Sequence, residues 1–311
     1  MQIITLAEEP GWEAELQKFL NLSLAKDFFT EHMFNRIMKQ DPNMDARFVY
    51  LAIEGDVLVG ALIGVRRIKA PEELVEPQKE GGWIKVLAVH PEKKGQKIAD
   101  ELLKAYEEAL IEEGRRFVRV SDFASWHVTA GLDISYEHLL EAYYRNGYAK
   151  AGQAVDYEID LTGFQIPAYV KRYEKKLLEN GFKIYRPAPE EEEEVTAWVK
   201  KTFSPFWAYE AGMAFRNPEP TIWIARKDGE IAGFSVYSAL ELEWFGPIGV
   251  DPEKRGKGLG TVLLYRSLLS MRLLGERLIV IPWTEHLFFY TQLSRTVGIR
   301  HYLILSKNLK P

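Results

Sequence analysis

The chain has 311 residues, 47% hydrophobic and 27% charged, an ordinary globular composition with room for roughly two domains that each bury a core. A formal net charge of −5 argues against a nucleic-acid partner, and the absence of cysteine excludes disulfides, thiolate metal sites and a cysteine nucleophile. The start, MQIITLAEEPGWEAEL, is not a basic segment followed by a long apolar run, and no stretch approaches the roughly 20 apolar residues of a membrane span, so no membrane partner and a cytoplasmic location are expected. In chain order, QIITLA reads as a strand, and residues 11–22 and 28–39 read as amphipathic helices. FVYLAIEGDVLVGALIGVRR reads as a hairpin around Glu54-Gly55-Asp56, followed by a polar loop over 70–81. WIKVLAVHP is a strand, 96–113 a helix with Ile98, Leu102, Leu103, Tyr106 and Leu110 on one face, RFVRVS a strand, 135–146 a helix and AVDYEIDL a strand.

The second half repeats that order. After a helix over 167–181 come the strand FKIYRPA and a helix opened by Pro189 and five glutamates, Glu190 to Glu194. The acidic run reads as a solvated first turn that suits the helix dipole in preference to a cation site. TIWIARKDGEIAGFSVYSALEL is a hairpin, LEWFGPIGVDP a strand, 257–274 a helix, RLIVIP a strand, 284–295 a helix and RHYLILSK a strand. One stretch is written twice without a gap: Trp83, Val89, Pro91, Gly95, Leu102, Gly114 and Arg116 recur as Trp244, Val250, Pro252, Gly256, Leu263, Gly275 and Arg277. An internal repeat at domain-sized spacing means a duplicated fold. The expected division is a lobe over 1–161, a linker helix over 162–181 and a lobe over 182–311, and hairpins mixed with helical crossovers make each an α/β lobe with a mixed sheet.

The richest chemistry is DPEKRGKGLGTVLL, at the junction of a strand end and a helix start. Gly256, Gly258 and Gly260 let the backbone turn and let a ligand approach, and the amides of residues 256–261, including Leu259 and Thr261, are the unpaired donors of the helix start. With Arg255 and Lys257 beside them they form an anion cradle suited to a diphosphate. Taken alone, the glycine pattern also fits a tight turn. It lacks the Gly-Lys-Ser/Thr ending of an NTP loop and the placement of a dinucleotide fingerprint.

A strand ending in Val-Asp-Pro, then Arg-Gly-Lys-Gly-Leu-Gly, then a Leu-rich helix resembles the acetyl-CoA motif of the GNAT family of N-acetyltransferases, with Arg255, Gly258 and Gly260 at the specified positions. The order of elements in both lobes is similar to that family, which implies two tandem GNAT-like domains, each a mixed, mostly antiparallel sheet flanked by helices. The resemblance implies acetyl-CoA as co-substrate, no metal, and transfer of an acetyl group to a primary amine, expected on a small molecule. It also implies that the pantetheine arm pairs with the backbone near Ile248, Gly249 and Val250, with Gly246 and Pro247 breaking the strand so that backbone groups face the thioester. The family's acid is a Tyr after an aromatic on the last helix, which corresponds here to Tyr290 after Phe289; the alternative for Tyr290 is a core aromatic. Ser294 stands where the family has glycine, whereas in the first lobe Tyr143 is followed by Gly147 at the usual spacing. Glu243 and Glu241, at the start of the strand, are general-base candidates or else a solvated strand end, and His286 is a lesser acid–base candidate.

The first lobe carries Lys94, Gly95, Gln96, Lys97, Ile98 and Ala99 in place of the cradle. A Cβ and a long side chain at Lys97 crowd an approaching phosphate, although the ammonium swung outward adds charge; a degenerate cofactor site is expected there. The aromatic segment FSPFWAYEAGMAF, residues 203–215, is either an acceptor wall or core packing. The alternative to an enzyme is a non-catalytic acyl-CoA-binding or sensory protein.

Overall fold

The computed structural model describes residues 1–94 and 97–309. In chain order the elements are β1 (Gln2–Thr5), α1 (Glu13–Ser23), α2 (Glu31–Met38), β2 (Val49–Glu54), β3 (Val57–Val65), the one-turn α3 (Glu72–Val75), β4 (Gly81–Val89), α4 (Ile98–Glu112), β5 (Phe117–Val120), β6 (Leu132–Asp133), α5 (Glu137–Arg145) and β7 (Ala149–Asp160). They continue with α6 (Ala168–Glu179), β8 (Phe182–Tyr185), α7 (Glu192–Thr202), α8 (Pro205–Phe215), β9 (Ile222–Lys227), β10 (Glu230–Tyr237), β11 (Phe245–Val250), α9 (Leu259–Leu274), β12 (Leu278–Thr284), α10 (Leu287–Tyr290) and β13 (Thr296–Asn308). Among the described residues no helix is long and apolar enough to cross a membrane.

The chain forms two compact units, one of residues 1–155 with those from His301 onward, the other Asp156–Arg300. The second unit stops short of the C terminus, unlike a division at consecutive residues. The reason is pairing at long range: Ser306, Lys307 and Asn308 lie opposite Arg119, Val118 and Phe117 of β5. Backbone pairing of this kind is not written in either strand's own pattern.

In the first unit the strands run β1-β2-β3-β4-β5 and then residues 301–308. All neighbours are antiparallel except β4 and β5, which are parallel as a helical crossover through α4 requires. The α4 stripe expected from periodicity, Ile98, Leu102, Leu103, Tyr106 and Leu110, is buried. The Tyr106 hydroxyl donates to the Trp83 carbonyl at 2.8 Å, which satisfies the one polar atom on that face. Below β4 the Lys85 ammonium donates to Asp41 Oδ2 at 2.6 Å and to the Ile37 carbonyl at 2.8 Å, with both charged side chains 0% exposed.

In the second unit β8, β9, β10 and β11 form an antiparallel sheet with β11 at its edge. Alternation along β10 sorts its two faces. Phe234 and Val236 join Val195, Val199, Ala211, Ala214 and Phe215 of α7 and α8 in one core. Ser235 turns the other way, to Leu263 and Ser267 of α9. The aromatic segment is therefore mainly helix α8, capped by Ser204 accepting from the Trp207 amide at 3.2 Å, and Phe203 stacks on Trp207 at 5.1 Å as part of that packing. Two of the five glutamates do more than solvate a helix start: Glu194 and Glu191 hold Arg226 at 2.5 and 3.3 Å, and Tyr185 donates to Glu191 at 2.7 Å.

One element is much shorter than its sequence suggests. The helix expected over 284–295 is the single turn α10. Thr291 Oγ1 donates to the Phe288 carbonyl, Gln292 Nε2 to that of Phe289 and Thr296 Oγ1 to that of Leu293, so side chains take the carbonyls a longer helix needs. Gly298 then lies within β13, where an added Cβ would stand 2.2 Å from Glu158 Oε2.

Candidate active site

Among the described residues, β11 and its neighbour β12 are joined at one place. Trp244 and Val280 form an isolated parallel bridge, and the Val280 amide donates to the Glu243 carbonyl at 2.8 Å. Beyond it, among the described residues, Phe245 to Val250 pair only with β10. The break expected at Gly246-Pro247 is present: Ser235 lies opposite Ile248 and Tyr237 opposite Phe245, so three steps on β11 oppose two on β10. One extra residue in the edge strand is a β-bulge, which bends the strand away.

The register decides which backbone groups face the open edge. The Asp251 amide donates to the Ala232 carbonyl at 3.0 Å, so that opposed pair is a hydrogen-bonded one. Hydrogen-bonded pairs alternate along an antiparallel ladder. Phe234 opposite Gly249 is therefore also bonded, while Ile248 and Val250 turn their N–H and C=O outward. The Val250 carbonyl already accepts from Arg255 Nε at 3.0 Å. Gly249 thus pairs inward, and its missing side chain has another cause: an added Cβ would lie 2.5 Å from Cζ of Phe203.

The glycine loop follows. Pro252–Lys254 make one 3-10 turn, Gly256 and Gly258 adopt φ of +80° and +81°, and α9 begins at Leu259 with Gly258 as a cap that offers no side-chain acceptor. The first helical bond is from the Val262 amide to the Gly258 carbonyl at 3.0 Å. Among the described residues the amides of Leu259, Gly260 and Thr261 find no acceptor in the protein. Three unpaired donors at the positive end of a 16-residue helix are suited to an anion, and Arg255 and Lys257 are exposed beside them. A Cβ on Gly260 would touch Phe289 at 3.5 Å and Val250 at 3.6 Å, so the structure brings together the end of β11, the start of α9 and the turn that carries Tyr290.

Tyr290 is 7% exposed, and its ring lies 5.0 Å from Phe289 and 5.8 Å from Tyr157. Burial first, then the Tyr157 phenol, pushes its hydroxyl well above the ordinary tyrosine range, so it keeps its proton at neutral pH. Glu241 and Glu243 lie in the turn before β11, not on the strand. Glu241 is buried and its carbonyl accepts from the Trp244 amide at 3.1 Å, whereas Glu243 is half-buried at the point where β11 and β12 part. Among the described residues no cluster of three or more His, Asp or Glu is placed to hold a metal ion.

The first unit has the same split without the same loop. Gly81 to Ile84 pair with Phe117 to Val120, and past them β4 and β5 separate around a small pocket lined in part by Lys85, Ser121 and Tyr143. Lys97, the counterpart of Gly258, has φ of −77° and caps α4 without a side-chain bond, so at this position the backbone is not left-handed as it is in its twin. Gly95 and Gln96 lie outside the described residues.

The model of the acetyltransferase (GNAT) family matches residues 13–130 and 178–285. No curated protein matches the chain. Among solved structures, the chain is similar to a GCN5-related glucosamine N-acetyltransferase region of a fungal multi-domain GH3 β-N-acetylglucosaminidase, with TM-score 0.77, 15% identity and 98% of this chain covered. It spans only 38% of that fungal chain. A GCN5-related N-acetyltransferase from Sphaerobacter thermophilus has TM-score 0.73 at 15% identity, with 99% of this chain and 96% of that one covered. A tandem GNAT protein from the clavulanic acid biosynthesis pathway has TM-score 0.67 at 15% identity, covering 100% and 99%.

Proposed function

The chain belongs to the acetyltransferase (GNAT) family, and from that premise we propose that its second unit moves an acetyl group from acetyl-CoA to a primary amine of a small-molecule acceptor. The observation that carries this reading is the meeting of two backbone features: the outward groups of Ile248 and Val250 on an unpaired strand edge, and the unpaired amides of Leu259, Gly260 and Thr261 beside Arg255 and Lys257. The first suits an extended amide-bearing arm lying along the edge as an added strand. The second suits a diphosphate at one end of that arm. Gly256, Gly258 and Gly249 serve the site by conformation and packing.

Transfer is by direct attack, since there is no cysteine to carry an acyl group. The amine nitrogen forms a bond to the thioester carbonyl carbon, the C–S bond breaks, and the sulfur leaves with the electron pair. Tyr290, protonated at neutral pH, supplies the proton that the departing thiolate takes up. Glu243, half-buried where the strands part, receives the amine proton directly or through water, with buried Glu241 as the second candidate. On this reading each chain takes one acetyl-CoA, held by the second unit; the difference between Lys97 and Gly258 supports it.

The test is release of free CoA thiol from acetyl-CoA in the presence of a panel of amines that includes glucosamine. Tyr290→Phe is expected to lower kcat by about a hundredfold while the KM for acetyl-CoA stays within about twofold, the pattern for loss of a general acid. An unchanged kcat would remove Tyr290 from the mechanism. Tight acetyl-CoA binding with no thiol released across the panel would favour an acyl-CoA-binding protein instead.

A further inference from the structure

We propose that helix α6 completes the nucleotide end of this cofactor site, with the Tyr173 ring as a platform for the adenine and the Lys176 ammonium as counter-charge to the ribose phosphate of CoA. The inference rests on the cofactor reading above and extends it to residues 168–177, which precede the span 178–285 matched by the family. Its starting point is a steric fact about the loop. A Cβ built on Gly258 would lie 2.9 Å from Cγ and 3.0 Å from Cδ2 of Tyr173. The tyrosine therefore packs directly on the residue that caps α9, beside the three unpaired amides.

Tyr173 is nonetheless 42% exposed. Its helix is anchored on the opposite side: Val170 and Leu177 are buried, Glu174 accepts from Arg266 of α9 at 2.5 and 2.8 Å, and the Tyr169 and Tyr265 hydroxyls lie 3.0 Å apart. The Tyr169 ring meets that of Tyr173 edge-on at 6.0 Å. The ring is thus fixed at its root and open on a face, the arrangement on which a base stacks with little loss of side-chain freedom. Helical spacing puts Lys176 on the stripe of Tyr169 and Tyr173. The helix carries Lys171, Arg172, Lys175 and Lys176, and its two glutamates are engaged elsewhere, Glu174 by Arg266 and Glu179 by Lys175 at 3.8 Å. Among the described residues no carboxylate lies within ion-pair distance of Arg172, Lys176 or Lys257. In a chain of net charge −5, such a gathering of unpaired cations around an exposed ring and a helix start suits a ligand with several phosphates and one aromatic base.

Calorimetric titration of the full chain with acetyl-CoA, acetyl-dephospho-CoA (which lacks the ribose phosphate) and acetyl-pantetheine (which lacks the nucleotide) tests the proposal. Tyr173→Ala is expected to raise the Kd for acetyl-CoA about tenfold and leave acetyl-pantetheine unchanged, and Tyr173→Phe is expected to bind as the parent does. Lys176→Ala is expected to weaken acetyl-CoA several-fold, on the order of one charge-assisted contact, and leave acetyl-dephospho-CoA unchanged. Parent-like binding of acetyl-CoA by Tyr173→Ala overturns the proposal and leaves the cofactor reading intact. An equal loss for acetyl-pantetheine, which has neither the base nor the diphosphate, overturns it too, since the ring would then support the site as a whole and not the nucleotide. A parent chain that binds no acetyl-CoA overturns the cofactor reading itself.

Discussion

Replacing Gly258 by glutamate is expected to raise the dissociation constant for acetyl-CoA by at least about a hundredfold, roughly 2.7 kcal/mol. Three effects act together. At φ of +81° any L side chain is strained, by about 1–2 kcal/mol. The new Cβ would stand 2.9 Å from the Tyr173 ring, so either the ring or the start of α9 must shift. The carboxylate would also lie among the unpaired amides of Leu259, Gly260 and Thr261, where it competes with and repels a diphosphate. Gly258→Ala carries the strain and the contact without the charge and is expected to fall between the two, which separates conformation from electrostatics. Each variant should still fold, with a melting temperature lowered by only a few degrees, as about 1–2 kcal/mol of strain implies. If the glutamate variant bound acetyl-CoA as the parent does, this loop would not be the diphosphate site.

The largest expected effect on stability lies in the first unit. Asp41→Asn should destabilise the protein by about 3–5 kcal/mol, read from urea unfolding, because it strands the fully buried Lys85 ammonium without its carboxylate. That is a large share of the 5–15 kcal/mol typical of a folded domain. The pair also has a pH signature. Burial, opposed in part by Asp41, brings the Lys85 ammonium down to about 8 from 10.5. Between those values the unfolded chain holds a proton the folded chain has given up, so stability rises with pH through that window. Buried phenols act in the opposite sense. Burial pushes Tyr106 and Tyr143 above the ordinary value of 10.0, so above pH 10 the unfolded chain sheds protons the folded chain keeps and stability falls. Stability is therefore expected to climb from about pH 8 and turn over near pH 10. Lys85→Met should flatten the climb, and a climb that persists in that variant would show another group to be responsible.

Much of the candidate active site was legible because its signals are contiguous. Arg255 to Thr261 sit together in one turn, and the need for left-handed backbone at Gly256 and Gly258 restricts residue type directly. The bulge at Gly246-Pro247 was legible for the same reason, since proline removes a ladder donor wherever it stands. The role of Gly249 was not: whether its amide faces the open edge or β10 depends on register with Phe234, and the ring that forbids its Cβ belongs to Phe203. Tyr173 carries no local signal, because its importance is its contact with a residue 85 positions later in the chain. The reach of α10 is not legible, because periodicity counts apolar residues and does not weigh Thr291, Gln292 and Thr296 taking up carbonyls.

By itself the sequence determined that the fold is duplicated, that a glycine- and cation-rich loop opens the second lobe's long helix, and that the first lobe has Lys97 where the second has a glycine. These are properties of spacing and of φ, and they act within a few residues. Only the tertiary structure decided that the last strand closes the first unit, that Lys85 and Asp41 meet as a fully buried pair, and that α6 lays Tyr173 against Gly258. Each of these is a pairing of residues distant in the chain. Such pairings are chosen by which surfaces can bury one another at close packing, and no segment carries that information alone.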